Sequence, residues 1–369
     1  MQLDMTKGRP MPIILKFFVP IFIGNMFQQF YNMVDSIIVG RYVGEEAFAA
    51  VGSTGTIMFL VLGFANGLST GFTVLTSQKF GAKDEKGIRQ SVSNAIILSV
   101  IVSVVMTIIS VLSMGALLHL MNTPKNIYHY AYDYIIIITG GTAAVCFYNL
   151  FSALLRAVGN SKAPLFFLIL SAVLNIFLDL LFIIRFRWEV QGAAIATIAS
   201  QAISAVCCLF YILAKVKILV PHRDEWKING HYAKKQLAVG FPMALQFGIT
   251  ASGTLIMQSA INRFGSTAIA GFNASSKVGN LLTQAFPALG QSMATYTGQN
   301  FGKRDIDRIN RGSHVAIVIS AIASALGLVL GLVLLKPAIP LFLGSNVDMN
   351  AILPWAKTYT YLSIICYMP

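Results

Sequence analysis

The chain is organised as long apolar runs separated by short polar segments. A transmembrane helix needs about 20 consecutive apolar residues, and ten stretches of the sequence reach that length. The pattern therefore predicts an all-α integral membrane protein with about ten transmembrane helices. The predicted spans are residues 13–39, 48–76, 92–118, 128–154, 164–184, 191–214, 236–261, 268–295, 313–335 and 351–369.

The composition supports a membrane protein rather than a nucleic-acid-binding one. Hydrophobic residues make up 56% of the chain and charged residues 11%, whereas soluble domains carry about 25% charged residues. The net charge of +13 could suggest nucleic acid as a partner. However, the basic residues lie in short loops between apolar runs, as membrane topology requires. We therefore expect the lipid bilayer as a partner and no nucleic acid.

The distribution of basic residues predicts the orientation in the membrane. If the N-terminus is cytoplasmic, the inner segments carry 18 Lys and Arg residues and the outer segments carry seven. Cytoplasmic loops are enriched in these residues. The sequence therefore predicts a multi-pass protein of the cell inner (plasma) membrane with a cytoplasmic N-terminus.

The second part of the chain repeats the first. TSQKFGAKD at residues 76–84 returns as TGQNFGKRD at residues 297–305, with Gln, Phe, Gly and Asp matching at an offset of 221. Pro20 pairs with Pro242 at an offset of 222. Internal repeats are typical of transporters, in which the binding site lies between the repeats. Because six spans precede the second copy, both copies have the same orientation, related by a pseudo-twofold axis along the membrane normal.

This repeat predicts two six-helix lobes, of which the second is incomplete. Residues 1–213 form the first lobe, 214–235 a cytoplasmic linker, and 236–369 a partial second lobe of about four helices. With the offset of 221, residue 369 corresponds to a point inside the fourth span. We expect the equivalents of the fifth and sixth spans to be missing, either because the chain is a fragment of a twelve-helix protein or because the gene is short. We favour the fragment.

Two acidic residues inside the spans are candidates for a functional site. Of the 14 Asp and Glu residues, only Asp35 and Asp179 lie within an apolar run away from a loop. A charge at the bilayer centre costs about 2.5–3.5 kcal/mol, so such residues usually face a cavity. Each acid lies six residues before an arginine at the outer end of its span, Arg41 or Arg185. Both therefore lie about 9 Å below the outer boundary, and we expect them to share a site.

Polar residues on other spans lie at the same depth. Asn175 precedes Asp179 by four residues, on the same helix face. Thr197 and Tyr134 each lie about six residues into a span that enters from the outside. These positions predict that four helices direct oxygen-bearing groups towards the acids.

The first span carries a polar stripe that ends at its acid. Asn25, Gln28, Asn32 and Asp35 are spaced three, four and three residues apart, which places them on one helix face. We expect this face to look into a cavity. Pro20, about a third of the way along the same span, removes a backbone donor and kinks helices. It predicts either a hinge or a static kink.

Two neighbouring carboxylates favour the binding of a small cation. In a low-dielectric site one of them must hold a proton or a cation must neutralise the pair. Na⁺ suits carboxylate, amide and hydroxyl oxygens, and H⁺ suits the pair equally. The alternative is that protonated Asp35 and Asp179 join helices by hydrogen bonds. For Asn175 and Thr197 alone, helix–helix hydrogen bonding is the competing interpretation.

The second lobe differs from the first. Met257 stands where the equivalent of Asp35 would be, and the span has no acid. We therefore expect the ion chemistry to lie in the first lobe. Lys277 lies about ten residues into the eighth span, where it either extends to the membrane surface or lines a central cavity.

Taken together, these motifs resemble the MATE (multidrug and toxic compound extrusion) family. The resemblance covers essentially the whole chain and rests on residues 28–44, 78–84, 156–164, 175–182, 191–201 and 298–305. It implies twelve helices in two lobes and cation-coupled export of organic, often cationic, compounds. It also implies a first-lobe cation site made of Asp35, Asn175, Asp179 and Thr197, which would ligate the metal if the ion is Na⁺. Pro20 corresponds to the family's bending proline. Residues implied or expected to line the cavity are Gln28, Tyr31, Asn32, Tyr134, Asn149 and Lys277.

The sequence therefore predicts an H⁺- or Na⁺-coupled antiporter that exports drugs or toxic compounds by alternating access. A flippase for a lipid-linked or anionic substrate is the alternative, which Lys277 favours and the paired acids oppose. An enzyme is not expected, because all five histidines fall in loops or at helix ends. A receptor or scaffold is a further alternative. We expect a monomer that binds small organic substrates and needs no cofactor beyond the coupling ion.

Overall fold

The computed structural model describes residues 3–121, 123–261, 264, 266–343 and 349–366, and these ranges form a bundle of α-helices. A π-helical turn, Leu180–Arg185, continues α6, and two short 3₁₀ turns follow α7. The α-helices are α1 (Pro10–Tyr42), α2 (Glu45–Gly81), α3 (Glu85–Leu120), α4 (Lys125–Gly140), α5 (Thr142–Ala157), α6 (Lys162–Asp179), α7 (Glu189–Lys215), α8 (Gly230–Ile261), α9 (Ser266–Leu282), α10 (Ala285–Gly302), α11 (Ile306–Leu343) and α12 (Met349–Cys366).

Each predicted apolar run corresponds to one helix or to two consecutive helices, except that residues 367–369 of the tenth run lie outside the described residues. The fourth run, expected as one span, is divided into α4 and α5, which meet at an angle of 48°. The break lies at Gly141, against which the side chain of Ile198 packs closely from α7. The eighth run is divided into α9 and α10, and Pro287 lies in the first turn of α10, where a missing backbone donor is tolerated. In the described chain, six helices are long and apolar enough to cross a membrane, or seven if α4 and α5 form one span.

The first seven helices enclose a common apolar core. Its largest cluster is formed mainly by residues of α2, α3, α5, α6 and α7, including Phe72, Ile88, Leu150 and Leu154, all of which are buried. Long apolar side chains on the outer faces stay exposed, as expected for helices in contact with lipid. The first predicted lobe is thus a packed bundle that can hold polar side chains away from lipid.

The α2 and α8 helices approach each other through glycines. Gly63, Gly67 and Gly71 follow one another at intervals of four residues along α2, so they share one face. Their Cα atoms lie against Phe247, Ala244 and Gly240 of α8, and a side chain at Gly67 or Gly71 would meet the α8 backbone. Small residues allow such backbone contact, which drives helix association in membranes.

The two copies of the repeated motif contact each other. Gly302, at the end of α10, lies against the backbone of Gln78, and Gly81, at the end of α2, lies against the backbone of Gln299. Both pairs are related by the 221-residue offset of the repeat. The contact lies at the end of the bundle where α2 and α10 both terminate.

The N-terminal segment, residues 3–9, joins both repeats at this end. Met5 N donates to Gln299 Oε1 at 2.9 Å, and Gln299 Nε2 donates to the carbonyl of Ala157 at 3.0 Å. Leu3 N donates to the carbonyl of Gly159 at 3.0 Å. The buried Arg308 donates to the carbonyls of Met5, Lys7 and Gly8.

The connection between α7 and α8 is held on α3. Arg89 Nε lies 3.0 Å from both carboxylate oxygens of the buried Glu225. Gln236, near the start of α8, donates to the carbonyls of Phe72 and Ser91 at 3.1 and 2.8 Å. These contacts fix the start of α8 against the first seven helices.

Candidate functional site

The two acids that the sequence places at one depth meet inside the first seven helices. Asp35 is in the last third of α1, and Asp179 is the last residue of α6. Their exposed fractions are 8% and 0%. The two carboxyl groups are neighbours in this buried position. The structure therefore builds a buried acid pair.

The backbone changes conformation directly after Asp179. Residues Leu180–Arg185 form a π-helical turn before α7 begins at Glu189. Such turns are rare and occur often at functional sites, because the added residue changes the direction of the side chains around it. Here the turn begins directly after Asp179, the last residue of α6.

Asn175 and Thr197 lie beside the acids. Asn175 is buried one turn before Asp179 on α6, and its Nδ2 donates to the hydroxyl of Thr197 on α7 at 3.4 Å. The amide oxygen of Asn175 takes no part in this hydrogen bond. The four residues of the cation site implied by the sequence resemblance thus come from α1, α6 and α7.

Several oxygens of this group have no protein donor. Among the described residues, Asp35 Oδ1, Asp179 Oδ1, Asp179 Oδ2 and Asn175 Oδ1 are buried without a hydrogen-bond partner. A buried polar atom left unpaired costs about 1–3 kcal/mol, and more if it is charged. The chemistry of this oxygen set fits a proton or a hard monovalent cation such as Na⁺.

Two tyrosines surround the acids. The Tyr134 ring of α4 is buried and lies near Asp35, Asp179 and Tyr31. Tyr31, one turn before Asp35 on α1, lies beside Gln28 and Gln201. Aromatic and amide side chains therefore surround the acid pair.

Gln201 also belongs to this group, although the sequence pattern did not predict it. It is buried on α7, one turn after Thr197, and lies beside the Tyr31 hydroxyl. Its spacing of four residues from Thr197 is the signal that could have identified it.

Other predicted residues lie farther from the acids or are more exposed. Gln28 and Asn32 are exposed on α1. Asn149 is partly buried on α5. Lys277 is exposed on α9. Pro20 is buried within α1, which continues through it as one helix, so its role as a hinge stays a prediction.

The second part of the bundle holds a different polar feature. A small cavity between α9, α11 and α12 has a mostly apolar lining with several hydroxyl groups, and no acidic residue is among its lining residues. Within the described chain, no group of three or more His, Cys, Asp and Glu side chains could hold a metal ion. The hydroxyl-bearing residues of the cavity include Ser275, Ser276, Thr283, Thr360 and Ser363.

A bundle of membrane-spanning helices with a duplicated motif and a buried acid pair defines an integral membrane transporter. Comparison with known proteins agrees. The MatE family model matches residues 20–181 and 242–369. The chain therefore belongs to the MatE family, whose members are transporters and not enzymes.

Among its curated relatives are two proteins of Bacillus subtilis and one of Thermotoga maritima. The probable multidrug resistance protein YpnP is 31% identical over 301 residues, which are 81% of this chain and 67% of that protein. YoeA, also a probable multidrug resistance protein, is 26% identical over 89% of this chain and 72% of its own length. The probable multidrug resistance protein NorM of T. maritima is 28% identical over 77% of this chain and 61% of its own length.

Solved structures show the same fold. A multidrug resistance MATE family transporter in an outward-facing conformation superimposes with a TM-score of 0.92 at 23% identity, covering 100% of this chain and 81% of that one. A MOP superfamily transporter from Pyrococcus furiosus, described as having a binding pocket of reverse polarity, superimposes with a TM-score of 0.90 at 23% identity over 97% of this chain and 80% of that one. The fold class and the family predicted from the sequence are both confirmed, and the enzyme alternative is excluded.

Proposed function

We propose that the protein is an antiporter that exports organic, often cationic, compounds by alternating access, coupled to the entry of H⁺ or Na⁺. The observation that carries this proposal is the acid pair, whose buried oxygens have no protein donor in the described chain. Asp35, Asn175, Asp179 and Thr197 are the proposed cation ligands, which would hold the metal directly if the ion is Na⁺.

The acid pair provides an electrostatic driving force for cation binding. Two carboxyl groups that face each other in a buried site cannot both be charged without a neutralising partner. A proton would join them by a hydrogen bond, whereas Na⁺ would draw on the Asn175 and Thr197 oxygens as well. Either ion removes the electrostatic cost, and either ion removes negative charge from the first-lobe cavity.

That loss of charge provides the coupling between cation and substrate. A cationic compound is attracted to the unneutralised pair and is released when a cation occupies it, because the two ligands disfavour each other. The cavity proposed for the compound is lined by Gln28, Tyr31, Asn32, Tyr134 and Asn149, with Lys277 on the opposite lobe. Aromatic and amide side chains suit a site that accepts varied compounds.

The proposed setting is the cell's inner membrane. The excess of Lys and Arg in alternate loops supports a cytoplasmic N-terminus. The contact of α2 with α10 and the N-terminal segment then lie at the cytoplasmic end, so the described conformation is closed towards the cytoplasm. The relatives' names support small-molecule substrates, and we propose that the transporter acts as a monomer.

Dye export from reconstituted vesicles tests the proposal. The purified full-length protein is placed in proteoliposomes, and export of a cationic dye is followed under an imposed Na⁺ gradient or an imposed pH gradient. We expect one gradient to drive export, and we expect Asp35→Asn and Asp179→Asn to abolish the dependence on that gradient. Asp133→Asn is the matched control, because Asp133 lies on α4 outside the pair and contacts Gln191 and His129.

The result that rejects the proposal is gradient-driven export by Asp35→Asn at the wild-type rate. Export that neither gradient drives in the full-length wild-type protein would also reject cation coupling.

A second candidate is transport of an anionic or lipid-linked substrate. Lys277 is exposed on α9, in the second lobe, and offers a positive group there. One relative, from Shewanella oneidensis, is an FAD transporter that is 22% identical over 296 residues. If an anionic dye is transported and Lys277→Gln stops its transport without affecting the cationic dye, this second function is supported.

A further inference from the structure

A row of buried polar residues continues inward from the acid pair along α7. Thr197, Gln201, Ser204 and Cys208 follow one another at intervals of four, three and four residues, which keeps them on one helix face. Gln201, Ser204 and Cys208 are all buried. Over these residues the row covers about 16 Å along the helix.

A second set of polar residues lies opposite, on α5. Tyr148, Ser152 and Arg156 are spaced four residues apart and share one face. The Ser152 hydroxyl lies beside both Tyr148 and Cys208. The two faces therefore meet, and the row extends from Thr197 to the last turn of α5.

The row has unpaired polar atoms along its length. In the described part of the chain, Gln201 Oε1, Ser204 Oγ and Ser152 Oγ are buried without a hydrogen-bond partner. Buried polar groups are normally satisfied by protein, water or an ion, and each one left unpaired costs about 1–3 kcal/mol. A route for water and a small cation requires a succession of polar atoms of this kind.

The outer end of the row joins the acid pair. Tyr31 lies between the two, because its hydroxyl is beside Gln201 while its ring is one turn from Asp35 on α1. A cation that leaves Asp35 and Asp179 in the inward direction therefore meets Tyr31 and Gln201 first.

The inner end of the row is closed by a positive charge. The Arg156 guanidinium lies near Tyr148 and Cys208. Among the described ion pairs, none joins Arg156 to an acid. An arginine without a counter-charge beside a row of polar groups repels cations, as it does in selective pores.

The same end of the row lies under the contact between the two repeats. The carbonyl of Ala157, the residue after Arg156, accepts the hydrogen bond from Gln299 Nε2, and Gln299 Oε1 accepts from Met5 N. Separation of α2 from α10 would break the bond to Ala157 and would free the last turn of α5 beside Arg156.

We propose that the row from Gln201 to Arg156 is the inward route of the coupling cation, and that Arg156 is the barrier that prevents leakage while Gln299 holds Ala157. This inference rests on the proposed cation coupling. It adds an exit through the interior of the first lobe, separate from the cleft between the repeats.

Cation leakage without substrate is the test. Proteoliposomes are given an imposed H⁺ or Na⁺ gradient and no dye, and the flux is followed with a pH-sensitive probe or with radioactive sodium. We expect Arg156→Gln to raise the flux about tenfold, which corresponds to a barrier lowered by about 1.4 kcal/mol. Arg156→Lys retains the charge and is expected to stay near the wild-type flux.

A second substitution tests whether the leaking cation passes along the row from Gln201 to Arg156. Ser204→Leu fills the route with an apolar side chain, so we expect Arg156→Gln with Ser204→Leu to return to the wild-type flux. A leak that persists in the double variant overturns the proposal, and so does an unchanged flux in folded Arg156→Gln.

Ser204→Leu alone provides a test that does not depend on the folding of Arg156→Gln. It should slow dye export several-fold while the cation concentration for half-maximal export stays the same, because exit and not binding is obstructed. An unchanged export rate overturns the route. Asp35→Asn distinguishes failure of this proposal from failure of the proposed cation coupling. If Asp35→Asn loses its gradient dependence while Ser204→Leu exports at the wild-type rate, the coupling is retained and the route is rejected.

Discussion

Arg308 holds the carbonyl oxygen of Met5 through two nitrogens, Nε at 3.1 Å and Nη2 at 3.0 Å. The same guanidinium donates to the carbonyls of Lys7 and Gly8 at 2.7 and 2.6 Å. A buried cation is thus surrounded by backbone oxygens of a segment about 300 residues away in sequence. This relationship makes the N-terminal segment a structural part of the second repeat.

Removal of this guanidinium should free the N-terminal segment. Hydrogen bonds to a charged group contribute about 1.5–3 kcal/mol each, so we expect Arg308→Met to accelerate hydrogen exchange in residues 3–9 about tenfold or more. Hydrogen exchange with mass spectrometry measures this. Arg311→Met is the control, because Arg311 is exposed on the same helix and donates at 3.4 Å to Asp307 of its own helix. Equal exchange in both variants would show that Arg308 does not hold the segment.

Loss of the Thr197 hydroxyl should weaken the proposed cation site. Thr197→Val keeps the shape of the side chain but removes the oxygen that Asn175 contacts. We expect the concentration of the coupling cation needed for half-maximal export to rise about tenfold, as for a loss of about 1.4 kcal/mol. The maximal rate should change little.

Thr139→Val is the matched control for this prediction. Thr139 is buried on α4, and its hydroxyl donates to the carbonyl of Ile135 within the same helix. It should leave the cation dependence unchanged. If Thr197→Val and Thr139→Val need the same cation concentration for half-maximal export, Thr197 is not part of the cation site.

A methyl group at the repeat contact should prevent its closure. In Gly302→Ala the new Cβ would overlap the carbonyl of Gln78, and overpacking of this kind costs about 1–3 kcal/mol. We expect reduced export and a lower thermal midpoint in detergent. Gly290→Ala lies on the same helix with open space around its Cα, so it should behave as the wild type. Normal export by Gly302→Ala would mean that the contact is not needed in the transport cycle.

The stability contributed by Asp84 should depend on pH. Asp84 caps α3 by accepting from Gly87 N at 2.8 Å and also accepts from Lys79 Nζ at 2.8 Å. The hydrogen bond from Lys79 lowers the pKa of the Asp84 carboxyl below its ordinary value of 3.8. A lowered pKa in the folded state gives stability that is present above the unfolded value and is lost as the pH falls through the folded value.

We therefore expect Asp84→Ala to reduce the free energy of unfolding by about 1 kcal/mol at neutral pH. The difference from wild type should shrink as the pH drops below 3.8, the ordinary value. Thermal unfolding at several pH values measures it. Asp307→Ala, at an exposed position in the first turn of α11, is the control. A difference that stays constant at all pH values would show that the charge of Asp84 is not involved.

The sequence predicted the helices and the meeting of the acids for simple physical reasons. Apolar runs of membrane length identify helices, and depth along two such helices places Asp35 and Asp179 at one level. The break at Gly141 was not predictable, because it depends on the approach of Ile198 from α7. The role of Arg308 could not be predicted from the sequence either, because its hydrogen-bond partners are backbone oxygens of a segment distant in sequence.

The sequence predicted only part of the candidate site. Helical spacing identified Asn175, but the burial of Gln201 and its position beside Tyr31 depend on how α1 packs against α7. Helical spacing likewise put Asn32 on the same stripe as Asp35, although Asn32 is exposed and Asp35 is buried. A stripe on one helix shows only which residues share a face, whereas the neighbouring helices determine which of them are covered.

The contacts of Gly81 with Gln299 and of Gly302 with Gln78 are one contact made twice, with the partners exchanged. This is the geometry of an isologous interface, in which residue i touches j and j touches i. Two separate half-length subunits with twofold symmetry would make the same pair of contacts. The duplicated chain therefore keeps, within one polypeptide, the interface of a homodimer.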